Sequence, residues 1–170
     1  MKTTTRVMLA ALLCTAAVAC SKKVKEEAPV DTGPSTGTVA PTPSTAGAYT
    51  PADLDTDACL RQRVVYFDLD QDSLRPEFQA IVSCHAKYLR DRSSARISLE
   101  GHADERGSRE YNQGLGERRG NGVSSALQAN GGSAAQLAVV SYGEERPVCT
   151  ESNEDCWARN RRVEIIYTAR

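Results

Sequence analysis

A stretch rich in Pro, Thr, Ser, Gly and Ala, from residue 21 to about 52, decides where this chain can fold. Its few large apolar residues, Val24, Val30, Val39 and Tyr49, follow neither a helical nor a strand period. Such a segment buries too little apolar surface to offset the entropy of ordering it, so it is expected to be a disordered linker. A flexible chain of ~30 residues spans ~30 Å on average and ~100 Å at full extension. A stalk with no particular target would read the same way. The core must therefore come from residues 53–170, about 118 residues, which is one domain of ordinary size.

Ahead of the linker, Lys2 and Arg6 precede an apolar or small run from Val7 to Ala19. At ~1.5 Å per helical residue this run covers only ~20 Å of a ~30 Å hydrocarbon core, which fits a signal peptide better than a membrane span. Ala17-Val18-Ala19-Cys20 resembles the lipobox of bacterial lipoproteins, with Ala17 where Leu is usual. The resemblance implies that residues 1–19, with Cys14, are removed and that Cys20 becomes the acylated first residue, beginning a lipidated linker over 20–52. Several acyl chains give stable anchoring, each buried CH₂ adding ~0.8 kcal/mol. Ser21 after the cysteine implies sorting to the outer membrane, with the domain facing the periplasm. An ordinary secretory signal, leaving Cys20 a plain thiol, is the alternative.

The chain carries 21 basic and 22 acidic residues. Removing Lys2 and Arg6 leaves a small net negative charge and no basic stripe, which excludes a nucleic-acid footprint. Within 53–170 the pattern alternates. Arg63 to Phe67 is a β-branched and aromatic run that predicts a strand. Leu74, Phe78, Ile81, Val82, His85 and Leu89 follow at helical spacing, with Asp72 or Ser73 as N-cap and Pro76 in the first turn. A second strand over Arg96–Glu100 ends at Gly101, and a second helix runs from about Ser108 to Asn130 before Gly131-Gly132. Ser133 caps a short turn of helix, and strands follow over Ala138–Tyr142 and Arg162–Thr168. The alternation predicts an open sheet with helices packed on it.

Four cysteines remain after processing. An even count in an oxidising compartment favours pairing, and Cys149–Cys156 with Cys59–Cys84 is the preferred of three connectivities. A zinc site is the alternative, but the spacing shows no CxxC and no nearby histidine pair.

The second helix contains a conflict. Tyr111, Leu115, Gly122, Val123, Ala126 and Leu127 trace one face, and Arg119 sits on it, four residues after Leu115 and four before Val123. A guanidinium there is costly unless a carboxylate or a ligand pairs with it. An internal ion pair with Asp104, Glu105 or Glu164 is one outcome, and a bound ligand is the other. The corner after the second strand is a second signal. Glu100, His102 and Asp104 alternate there, where open sheets bind ligands, and Asp104 to Ser108 leads into a helix N-terminus. A metal set, or a His102–Asp104 acid–base pair, would use the same residues, but no nucleophile or metal motif accompanies them, so neither an enzyme nor a metal or cofactor is expected.

Gly101-His-Ala-Asp-Glu-Arg-Gly107, Tyr111-Asn112, Leu115-Gly-Glu-Arg-Arg119, Val140-Ser-Tyr-Gly143 and Asn160-Arg-Arg162, opened by Val65-Tyr-Phe-Asp68, together resemble the OmpA-like peptidoglycan-binding domain family. Within that family they resemble the peptidoglycan-associated lipoproteins of Tol–Pal systems. The resemblance spans about residues 62 to 168. It implies an α+β fold of βαβαββ type with an open mixed four-stranded sheet. It further implies that Asp104 and Arg119 bind the diaminopimelate of the wall peptide, with Phe67, Asp68, His102 and Leu115 shaping the pocket and Asn112 and Arg162 contributing. Implied partners are peptidoglycan, TolB and other Tol components. Gly120 stands where the family has Ala, which would loosen the helix by ~1 kcal/mol.

Overall fold

The structure, a computed structural model, describes residues 47–170. The signal segment, Cys20 and the linker up to residue 46 lie outside the described residues. Four strands, β1 (Val64–Tyr66), β2 (Arg96–His102), β3 (Leu137–Gly143) and β4 (Arg162–Ala169), form one sheet in the order β1-β4-β2-β3. β4 runs antiparallel to both β1 and β2, whereas β2 and β3 are parallel. Parallel neighbours need a crossover, and the long helix α3 (Arg109–Ala129) supplies it. A second helix, α2 (Gln79–Asp91), joins β1 to β2. The mixed α+β sheet expected from the sequence is the one observed.

Strand alternation divides the sheet into two faces. Val65, Ile97, Leu99, Val163 and Ile165 are buried beneath the helices with Val82, Leu89, Val123 and Leu127. Tyr66, Val140 and Ile166 stay exposed on the other face. α3 begins where the sequence placed it, because the Ser108 hydroxyl accepts from the Tyr111 N–H at 3.2 Å. α2 begins later than Asp72 or Ser73. A single 3₁₀ turn at Pro76–Phe78 precedes it, and no side chain caps it.

Helix and sheet approach so closely at two glycines that an added Cβ would force a neighbour to shift. A Cβ on Gly101 would lie 2.0 Å from the Gly116 carbonyl oxygen, and one on Gly120 would lie 2.6 Å from Val139 Cγ1. Gly120 thus makes room for the sheet rather than merely loosening α3.

Two short helices were not expected. α1 (Asp53–Thr56) buries Leu54, and α4 (Glu154–Asn160) interrupts the connection between β3 and β4. The packed structure also starts before Asp53. Tyr49, read above as part of the linker, is buried beside Tyr88, and its N–H donates to Asp91 at 2.8 Å. Cys59 is bonded to Cys84, and Cys149 to Cys156 at the N-terminal end of α4.

Candidate functional site

A cavity of about 240 Å³ opens between the β2–α3 corner, the start of α3 and the loop after β1. Asp104, Asn112, Leu115 and Arg119 line it, as do Leu69, Asp70, Arg106, Gly107 and Tyr111.

Arg119 is wholly buried, as its place on the apolar stripe of α3 requires. Its guanidinium lies 5.2 Å from the centroid of the Phe67 ring. Nε donates to the Gln71 carbonyl at 2.8 Å, Nη1 to the His102 carbonyl at 2.8 Å and Nη2 to the Asp68 carbonyl at 3.1 Å. Among the described residues it forms no ion pair. The three carboxylates considered from sequence are engaged elsewhere: Asp104 with Arg106 and Arg161, Glu105 with Ser152 and Trp157, and Glu164 with Arg162. Burial, and next the nearby Arg161 charge, push the Arg119 guanidinium down to about 10, although Asp104, Asp70 and Asp72 oppose this. The cavity wall is therefore a buried cation held by neutral oxygens, with two of its five N–H groups left over.

Asp104 is almost as deeply buried, and it lines the same cavity. Burial works to raise its carboxyl, but the hydrogen bonds from Arg106 and then Arg161 outweigh it and hold it below the usual carboxylate range. Asn112 braces the corner: its amide donates to the carbonyls of Asp104 and Arg106 at 3.1 and 3.2 Å. Ligand-sized space thus has one buried anion and one buried cation in its wall, with Asp70 and Arg106 at more exposed positions of the same lining.

The remaining expected residues sit around it. Phe67 and Asp68 serve from behind, through a ring face and a carbonyl on Arg119, while the Asp68 carboxylate turns to Arg75 at 3.2 Å. His102 gives its carbonyl to Arg119, but its ring lies on the open face of the sheet, stacked on Tyr142. Arg162 does not reach the cavity. It is buried on that other face, 2.7 Å from Glu164. Its neighbour Arg161 is the one that meets Asp104, at 3.2 Å. Successive strand residues point to opposite faces, so a one-residue difference exchanges the two arginines. The Glu100, His102 and Asp104 metal set does not assemble either. Glu100 pairs in register with Glu164, Asp104 faces the cavity, and no metal-sized cluster occurs among the described residues.

Sequence reasoning missed Arg106, Arg161 and Trp157 as parts of this neighbourhood. Arg106 and Arg161 were signalled only as members of the motifs at 101–107 and 160–162. Trp157 carried no periodic signal.

Residues 66–161 match the OmpA family. Over 160 residues the chain is 45% identical to a peptidoglycan-associated lipoprotein of Pseudomonas putida, covering 91% of this chain and 92% of that one. A peptidoglycan-associated lipoprotein of Pseudomonas aeruginosa is 50% identical over 113 residues, 66% of this chain and 67% of the relative. Among solved structures, the peptidoglycan-associated lipoprotein from Burkholderia pseudomallei superimposes with a TM-score of 0.67 at 40% identity, covering 68% of this chain and 98% of that one. The C-terminal domain of Helicobacter pylori MotB shares the fold, with a TM-score of 0.58 at 21% identity over 63% of this chain and 84% of that one. The chain belongs to the OmpA family and, within it, to the peptidoglycan-associated lipoproteins, which are not enzymes.

Proposed function

We propose that this chain is an outer-membrane lipoprotein that grips peptidoglycan non-covalently through the diaminopimelate of the stem peptide. Peptidoglycan binding by a lipoprotein follows from the family. The specific ligand is inferred from one observation: a buried guanidinium with no carboxylate partner among the described residues shares a cavity with a buried carboxylate. Diaminopimelate presents an ammonium and a carboxylate on one side-chain carbon. The carboxylate suits the unused N–H groups of Arg119, which form a planar fork, and the ammonium suits Asp104. A lysine at that position lacks the carboxylate and leaves the buried cation unpaired, and binding sites reject ligands strongly on that ground. Leu115 and Asn112 complete the walls, and Phe67, Asp68 and His102 hold Arg119 from behind. The lipobox-like segment and Ser21 support anchoring at Cys20 in the outer membrane, with the domain in the periplasm. A place in a Tol–Pal-type system, with TolB as protein partner and a part in envelope integrity and constriction during division, rests on kinship with the relatives alone.

The test is sedimentation of the purified protein with insoluble walls of two kinds. Walls containing diaminopimelate should retain the wild type and release Asp104→Asn. Walls built with lysine should retain neither. Equal retention of folded Asp104→Asn and wild type on diaminopimelate walls would sink the assignment.

A further inference from the structure

Asp104 has no vacancy for an incoming ammonium. A carboxylate offers about four lone-pair positions. The backbone N–H and Nε of Arg106 meet Oδ1 at 3.0 and 3.1 Å, and Arg106 Nη2 and Arg161 Nη1 meet Oδ2 at 2.7 and 3.2 Å. A ligand ammonium must displace one of these donors. Arg161 is a poor candidate, being buried and also held by the Phe67 carbonyl at 3.1 Å and by Glu154 at 2.7 Å. Arg106 is the better one. About a third of its side chain, 32%, is exposed, and it lines the cavity.

Arg106 also has a second seat within reach. Its Nη1 is already 3.4 Å from Glu154 Oε2, and its guanidinium lies 4.2 Å from the Trp157 ring centroid. Trp157 is fixed by donating from Nε1 to Glu105 at 2.9 Å. Glu105 in turn accepts from the Ser152 hydroxyl at 2.7 Å, inside the loop that Cys149–Cys156 closes. An arginine leaving Asp104 keeps both a carboxylate and an aromatic face.

Building on the diaminopimelate reading, we propose that Arg106 is a displaceable plug in the ammonium subsite, pushed aside towards Glu154 and Trp157 when ligand binds. Because one cation replaces another at Asp104, the ammonium alone gains little, and apparent affinity is lowered by the fraction of molecules with the plug seated. A dipolar end recovers the difference through its carboxylate on Arg119, whereas a bare ammonium does not. Arg106 therefore sets an affinity threshold that a dipolar end clears and a bare ammonium does not, while Arg119 sets the ratio between them.

Full-length protein should be titrated with a tripeptide ending in diaminopimelate and with its lysine counterpart, by calorimetry and by emission of Trp157, the single tryptophan of the chain. In the wild type the first peptide should bind and change the emission, and the second should bind poorly. In Arg106→Gln the first should bind about fivefold tighter, the size of losing one partly exposed ion pair that binding has to break. The lysine peptide should gain by the same factor, leaving the ratio set by Arg119 unchanged, and the emission change should vanish. Arg106→Lys, which keeps a charge but not the fork, should fall between and serves if the Gln variant does not fold. Equal or weaker binding by Arg106→Gln, with Asp104→Asn still inactive, would overturn the plug and leave the diaminopimelate reading standing. Undiminished binding by Asp104→Asn would overturn both.

Discussion

Each face of the sheet buries a histidine and, in Arg119 and Arg162, an arginine, and in each of these two pairs one member lacks its natural partner among the described residues. Under the helices, His85 has both ring nitrogens engaged, by the Tyr167 hydroxyl at 2.7 Å and the Gln62 carbonyl at 2.9 Å, while Arg119 has no ion-pair partner among the described residues. On the open face the roles reverse. Arg162 has Glu164 at 2.7 Å, and the buried His102 ring has no hydrogen-bond partner among the described residues, its Nε2 standing 4.0 Å from Glu164. An unpartnered buried group is therefore not by itself a sign of function. Arg119 adjoins a cavity with a carboxylate across it, whereas His102 is sealed beneath Tyr142.

Acid should expose the histidine half of this contrast most strongly. Burial first of all pushes both rings down to about 4; at His102 the neighbouring Arg162 adds to this. The unfolded chain takes up these protons near pH 6.5. Between the two values only the unfolded rings are charged, so the histidines' contribution to stability should fall as pH drops from about 6.5 and level off below about 4, by roughly 3 kcal/mol per ring. Urea melts at pH 7, 5.5 and 4.5 read this directly. His102→Phe, which removes an orphan rather than a bonded pair, should cost little at pH 7 and remove about half of the acid loss. An unchanged acid profile in that variant would mean that His102 is hydrated rather than sealed.

Arginine substitutions test the other half. Arg119→Lys keeps the charge but loses the fork, and with it about two charge-assisted bonds in the bound state. Affinity for a diaminopimelate peptide should drop on the order of 100-fold. Arg162→Lys sits on the other face beside Glu164 and should stay within about twofold, since a lysine there still meets a carboxylate. Comparable losses in the two variants would show that the open face contacts the wall and would erase the distinction between them.

Much of this was legible in the sequence because periodicity reports burial. Arg119 shares the spacing of Leu115 and Val123, so its burial could be read directly, and Ser108 announced the start of α3. What periodicity cannot supply is a partner or a parity. Which carboxylate meets which arginine depends on loops folding back, and Arg161 and Arg162 differ by one position at a strand start that a sequence does not fix to one residue. α4 is seven residues long in an acidic run, too short to show a helical stripe, yet it carries the Glu154 and Trp157 that hold Arg106. Tyr49 stands alone among small and polar residues, so no pattern could show that it packs on Tyr88.

The smallest predicted effect tests whether α3 is held against the covered face by shape alone. Helix propensity favours Ala over Gly by ~1 kcal/mol at any interior position, so propensity alone gives Gly114→Ala and Gly120→Ala the same gain. Contacts separate them. A Cβ at Gly114 meets only the Arg118 Nη1 at 3.4 Å, the mobile end of a long side chain, whereas a Cβ at Gly120 lies 2.6 Å from Val139 on β3. Gly114→Ala should therefore stabilise by about 0.5–1 kcal/mol. Gly120→Ala should destabilise by about 1 kcal/mol net, since overpacking costs ~1–3 kcal/mol against the propensity gain. Thermal melts resolve a difference of that size, and because Gly120 adjoins Arg119 the loss should be accompanied by weaker peptide binding. Stabilisation by both substitutions would mean that α3 can lift from the sheet freely, and a guanidinium on so loose a helix would not be held in register for a ligand.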